Sequence, residues 1–107
     1  MKVTVPHNTT VEEAIQIVDR SADGLFAGVV GGAVELADRK QQWNGPRMGF
    51  SLTARLGFIE LPISGTVVID DLNVTVNCDL PPLVTTFVGE DKIRAGVERK
   101  VRGMLQR

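Results

Sequence analysis

A chain of 107 residues that is 43% apolar and 23% charged has the make-up of one ordinary globular domain, able to bury roughly 60–70% of the surface its unfolded form exposes. A formal net charge of −1 supplies no overall field toward phosphate backbones, so nucleic-acid binding loses its usual first contribution. Cys78 is the only cysteine and His7 the only histidine. Neither a disulfide framework nor a thiolate or histidine-pair metal site can be assembled from one copy.

The first residues, Met1 to His7, alternate in polarity and lack the apolar core of a secretory signal. The longest uncharged stretch, Gly24 to Val34, has 11 residues, against roughly 20 for a helix that crosses a bilayer. These features predict a protein of a reducing cytoplasm with no transmembrane segment.

In chain order, Lys2 to Pro6 reads as a short strand, and His7-Asn8-Thr9-Thr10 as a turn leading into a helix. Thr10 and Glu13 have the spacing of a capping box. The hydroxyl would accept an orphan amide hydrogen, and the carboxylate would return to the cap amide. Val11, Ala14, Ile15, Val18, Ala22, Leu25, Phe26 and Val29 recur at three- and four-residue steps and form one stripe facing a core. The helix should reach at least Phe26. Gly24, Gly28 and Gly32 lie four apart, so a continuing helix would carry a smooth glycine strip. Glycine costs up to about 1 kcal/mol in a helix, and the alternative is an end between Gly24 and Gly31.

Four strand-like segments follow, from Val34 to Cys78. Val34 and Leu36 alternate with Glu35 and Ala37, and the polar run Asp38 to Gln42 carries the first strand to Trp43. Asn44-Gly45-Pro46 predicts a tight reversal. Met48, Phe50, Leu52, Ala54 and Leu56 then occupy one face of the next strand. Ile63, Gly65, Val67 and Ile69 continue the pattern, Asp70-Asp71 turns the chain, and Leu72, Val74, Val76 and Cys78 complete it. Leu80-Pro81-Pro82 stops the last strand, because proline cannot donate to a ladder. Leu83, Val84, Phe87 and Val88 make an apolar cluster. Beyond Gly89, Ile93, Val97, Val101, Met104 and Leu105 form the stripe of a closing helix rich in Lys and Arg. The pattern predicts a single α+β domain over residues 1–107, with an antiparallel β-meander of four or five strands covered by an N-terminal and a C-terminal helix.

The search for chemistry yields no catalytic residue, no metal site and no cofactor motif. His7, just ahead of a capped helix, reads as a turn or capping neighbour, since no nucleophile and orienting acid accompany it. Cys78 sits on the apolar phase of its strand and reads as a small core residue. Asp70-Asp71 is explained by the turn alone. The glycines from Gly28 to Gly32 lack the lysine and hydroxyl residue of a phosphate-binding loop.

Two segments admit a functional reading. Gly57-Phe58-Ile59-Glu60-Leu61-Pro62 places large apolar groups at a strand junction, where they would form an exposed contact patch. The plainer alternative is a wide bend whose residues fold back on the core. The basic closing helix could meet an acidic partner or a lipid surface with its apolar stripe inserted, or it is simply the solvated face of a packed helix. Trp43, Phe58, Ile59 and Leu61 are the candidate binding residues.

Lys2-Val3-Thr4-Val5-Pro6-His7 before a Glu-Glu-Ala helix, then Trp43-Asn44-Gly45, Gly65-Thr66-Val67-Val68-Ile69-Asp70-Asp71, Leu80-Pro81 and a closing basic helix follow one another along nearly the whole chain. In that order they resemble the small polyhydroxyalkanoic acid system family of bacteria. The resemblance implies an accessory role in storage-polyester metabolism or at granule surfaces, and it carries no catalytic residue with it. A polyester granule or other hydrophobic surface is the partner it suggests. A carrier of a small apolar ligand between helix and sheet is one alternative, and a homo-oligomeric assembly protein, most simply a homodimer, is another.

Overall fold

The computed structural model describes residues 1–30, 35–82, 86 and 89–105, giving the backbone alone for 22–30 and 56. Five strands, β1 (Lys2–Pro6), β2 (Glu35–Asn44), β3 (Arg47–Leu56), β4 (Ile59–Ile69) and β5 (Asn73–Asp79), form one antiparallel sheet. Their order is β1-β5-β4-β3-β2. Two helices complete the fold, α1 (Val11–Val30) and α2 (Glu90–Leu105). The expected α+β architecture is therefore present, with β2 to β5 as the meander and β1 added beside β5. Among the described residues no helix is long and apolar enough to cross a membrane.

Alternation decides which sheet face is covered. Val3, Val5, Val74, Val76, Cys78, Ile63, Val67, Ile69, Met48, Phe50, Leu52 and Ala54 all point the same way and are buried. Ala14 and Val18 of α1 and Ile93, Val97 and Val101 of α2 close over them. Each fully buried side chain of this size contributes roughly 1.5–3 kcal/mol. A 16-residue helix is marginal alone in water, so α2 depends on its three buried residues. Its apolar stripe is consumed by the core, which rules out insertion of that stripe into a lipid surface.

α1 runs without interruption to Val30, through Gly24 and Gly28. Whether the glycine strip extends to Gly32 lies outside the described residues, as do Val34 and the Leu83, Val84, Phe87 and Val88 cluster. The cap forms differently from the expected box. The Glu13 amide donates to Thr10 Oγ1 at 3.1 Å, but the Glu13 carboxylate accepts from the Thr9 hydroxyl. An oxygen donor one residue earlier holds that carboxylate, leaving it off the cap amide.

Other local departures have simple causes. Gly45 (φ 62°) is followed by Pro46, and Asn44 already pairs with Arg47. The central pair of that turn is thus Gly45-Pro46, with the positive φ first, as in a type II′ reversal. Leu72 does not join the β5 stripe; it is 71% exposed in the β4–β5 turn. Asp70 Oδ1 accepts from the amides of Leu72 and Asn73 at 2.9 and 2.6 Å, which lifts Leu72 out of the ladder.

The bulge in β2 has the largest effect. Ala37 pairs with Thr53 and Lys40 with Ser51, so Asp38 and Arg39 together oppose Leu52. Asp38 takes φ 54°, a conformation aspartate tolerates better than most residues. The extra residue reverses the phase of the strand. Leu36 faces the helices before the bulge, and Gln41 and Trp43 face them after it.

Gly65 sits between Phe50 on β3 and Cys78 on β5, beneath the Phe50 ring. A Cβ there would lie 2.1 Å from the Asn77 carbonyl oxygen and 2.7 Å from Phe50 Cζ. Gly49, one pair away on the other face, has nothing within 4 Å of the equivalent point. Gly65→Ala should therefore cost about 3 kcal/mol in urea unfolding, the upper part of the overpacking range. Gly49→Ala should stay within about 0.5 kcal/mol. Equal effects at the two positions would mean that Phe50 does not pack over Gly65.

Candidate functional site

The β3–β4 hairpin carries the most exposed apolar group among the described residues. Leu56 and Ile59 pair, leaving Gly57 and Phe58 as a two-residue turn. Gly57 has φ 66° while Phe58 keeps a negative φ, again the type II′ pattern that glycine in the first position permits. The segment is thus a tight reversal, in place of the wide bend. A central turn residue has no flanking strand to lean on, and Phe58 is fully exposed with Ile59 44% exposed beside it. Leu61 behaves differently, being half-buried against the core.

On the β5 side the tip stands clear of the sheet, whereas β2 runs beside β3 up to the Glu35–Arg55 pair. β5 pairs only with Ser64 to Ile69 of β4, so Ile59 to Ile63 are held on the β3 side alone. Pro62 lies in this stretch and withholds one amide from any strand that might add there. Directly below the apolar pair, Arg55 and Glu60 face each other across the ladder, with Nε and Oε1 3.2 Å apart. The hairpin therefore ends in two apolar side chains above a charged collar.

Trp43, brought to the helix side by the bulge, is half-buried and donates its Nε1–H to Asp19 Oδ1 of α1 at 2.9 Å. Gln41 Nε2 donates to the same oxygen at 3.3 Å. Its polar edge is committed to tying β2 to α1. Trp43 and the Phe58–Ile59 tip lie at opposite ends of the β3 ladder, since Trp43 pairs with Met48 and Ile59 with Leu56. Phe58 and Ile59 lie at the exposed tip, Leu61 lies on the same hairpin against the core, and Trp43 lies apart from all three.

An open groove of about 930 Å³ runs along β2 and β3, lined by Lys40, Gln42, Asn44, Arg47, Gly49 and Ser51 together with Gln41, Trp43, Phe50 and Gly65. Of the candidate residues read from the sequence, Trp43 alone lines it, and the groove itself was not expected, because it depends on the cross-strand register that the bulge sets.

His7 and Cys78 both serve the fold. His7 is buried; its amide donates to the Leu72 carbonyl at 2.9 Å, and its Nε2 donates to the Asp70 carbonyl at 2.6 Å. It fastens the β1–α1 junction to the β4–β5 turn. The amides of Leu72 and Asn73, in that order, hold the Asp70 carboxyl below the usual range. His7 follows Pro6, the partner of Asn73, whereas Cys78 bonds to Met1 at the other end of β1. Six residues of strand separate them by about 20 Å, so they cannot act on one substrate atom.

The comparisons add no relative: no protein-family model matches the chain, and no curated protein matches it.

Burial pushes the Cys78 thiol from 9.0 up to about 11. The native thiolate should thus be about a hundredfold scarcer than in an unfolded chain at neutral pH, and slower still to react because the sulfur is covered. Stopped labelling with a thiol reagent checks this, and equal rates in native and urea-unfolded protein would contradict it. The folded pKa is the higher, so the stability linked to this thiol is complete below pH 9.0 and is lost as pH rises toward about 11. Cys78→Ala should remove that part of the alkaline decline.

Proposed function

We propose that this protein is a non-enzymatic accessory that docks on a hydrophobic surface through the tip of the β3–β4 hairpin, and that the surface is a polyhydroxyalkanoate granule in a bacterial cytoplasm. The observation that carries the reading is Phe58, fully exposed at the tight turn that closes the β3–β4 hairpin. A solvated turn has no need of phenylalanine there, and Ile59 extends the same apolar surface. The resemblance of the chain's motifs to the polyhydroxyalkanoic acid system family supports the choice of polyester over lipid.

The geometry also bears on strength. Removing one phenylalanine and part of an isoleucine from water yields roughly 3 kcal/mol, or about a hundredfold in partitioning. That supports reversible, shallow attachment, with the Arg55–Glu60 pair remaining at the water boundary, where its charges stay hydrated. The basic face of α2 could add attraction to an anionic surface, but that share would be screened by salt.

Co-sedimentation with polyhydroxyalkanoate particles, and in parallel with neutral and anionic liposomes, tests the proposal. The protein should pellet with the polyester at both low and high salt, and Phe58→Asp should lower the bound fraction at least about tenfold. The same substitution should leave urea stability within about 0.5 kcal/mol, because the side chain touches nothing buried. Binding that high salt abolishes, or that Phe58→Asp leaves intact, would move the contact to α2 or elsewhere. Absence of binding to every surface would remove the reading.

A further inference from the structure

We propose that the groove along β2 and β3 is a binding site for a small extended polyanion, a chain of linked phosphates. The site is separate from the hairpin tip and does not depend on it. The register places Lys40 opposite Ser51, Gln42 opposite Gly49 and Asn44 opposite Arg47, so these residues share the face turned away from the helices. Lys40 and Arg47 mark the two ends. Four residues of strand separate Lys40 from Asn44, about 13 Å, and both cations are long and flexible enough to lean inward.

The charge balance of the groove is one-sided. Among the described residues no aspartate or glutamate lines it. The ion pairs among the described residues include Met1 with Glu90, Arg55 with Glu60 and Arg102 with Glu98, and Lys40 and Arg47 belong to none of these. Asp38 at the bulge lines an adjoining hollow of about 230 Å³ that Lys40 and Ser51 also border, and the Asp19 carboxylate is held by Trp43 and Gln41. The basic helix α2 has more positive groups but interleaves them with Glu90, Asp91 and Glu98. In the groove, Lys40 and Arg47 border an open space whose lining holds no carboxylate among the described residues.

Between the two cations, the Gln42 and Asn44 amides and the Ser51 hydroxyl supply neutral donors for phosphate oxygens. The middle is bare backbone, since nothing lies within 4 Å of where a Gly49 Cβ would be. A single compact anion could satisfy one end only. A linear triphosphate can engage both ends at once, with its central phosphate over Gly49, and Arg47 can take a terminal phosphate in the two-pronged manner guanidinium favours. The groove lies toward the Asn44–Arg47 turn, at the far end of β3 from Phe58. A bound anion would stay in water while the tip was buried.

Amide chemical-shift titration of the full chain at constant ionic strength tests the site, with sodium tripolyphosphate as the probe and orthophosphate and ATP as parallel arms. Tripolyphosphate should give saturable shifts centred on Lys40 to Ser51, with orthophosphate at least about tenfold weaker. The double substitution Lys40→Gln with Arg47→Gln should weaken binding by about tenfold or more while leaving the rest of the spectrum superposable. Tighter binding of ATP would assign the phosphate chain to a nucleotide, and tighter binding of tripolyphosphate to an inorganic chain. Shifts that do not saturate, that centre on Lys92 to Arg102, or that survive the double substitution would overturn the proposal.

Discussion

The structure depends on one constraint: a five-stranded sheet that is apolar on a single face must have that face covered. Val5, Val74, Val67 and Met48 lie on four successive strands and are all essentially inaccessible. A one-residue slip in any strand would turn its share of this set into water. The helices answer that requirement. α1 carries the chain from β1 at one edge to β2 at the other, and α2 returns to lie on α1 and β1. Gly65 belongs to the same constraint, because it leaves room for the Phe50 ring within the covered layer.

What remains outside the covered layer has the functional interest. The strands are unequal, with 10 and 11 residues in β3 and β4 against 5 and 7 in β1 and β5. The β3–β4 hairpin therefore outruns β5, while β2 follows β3 as far as the Glu35–Arg55 pair, and the Gly57-Phe58 turn lies in solvent. Phe58 is fully exposed and gains no burial at this turn, while Ile59 is 44% exposed beside it. On the opposite sheet face Gln42, Gly49 and Ser51 lie between Lys40 and Arg47 along the groove. Tip and groove are thus different consequences of one arrangement, the first from unequal strand length and the second from the uncovered face.

Much of the fold was legible in the sequence, because period-two alternation from Met48 to Cys78 and the 3.6-residue stripes of α1 and α2 are driven by burial itself. The β2 bulge was not legible. The shift between Ala37 and Lys40 turns Trp43 toward α1, and a strict alternation from Leu36 would have turned it outward. Local oxygen chemistry caused the smaller departures: Thr9 competes for Glu13, and Asp70 captures the amides that release Leu72. At the candidate site, Gly57-Phe58 was readable as apolar residues at a junction. Their exposure was not, since a wide bend and a two-residue reversal have similar composition and differ in the φ of Gly57. The groove was invisible for a further reason: Lys40 and Arg47 become neighbours of one space only through pairing.

Hydrogen exchange of the protein on and off polyhydroxyalkanoate particles tests the central claim most directly, because it reports where the surface touches the chain. Docking by the tip predicts added protection concentrated in the amides from Gly57 to Leu61, with the Gly45 turn, the Asp71 turn and α2 unchanged. Protection spread along α2, or centred on the opposite end of the sheet with none at Phe58, would contradict it.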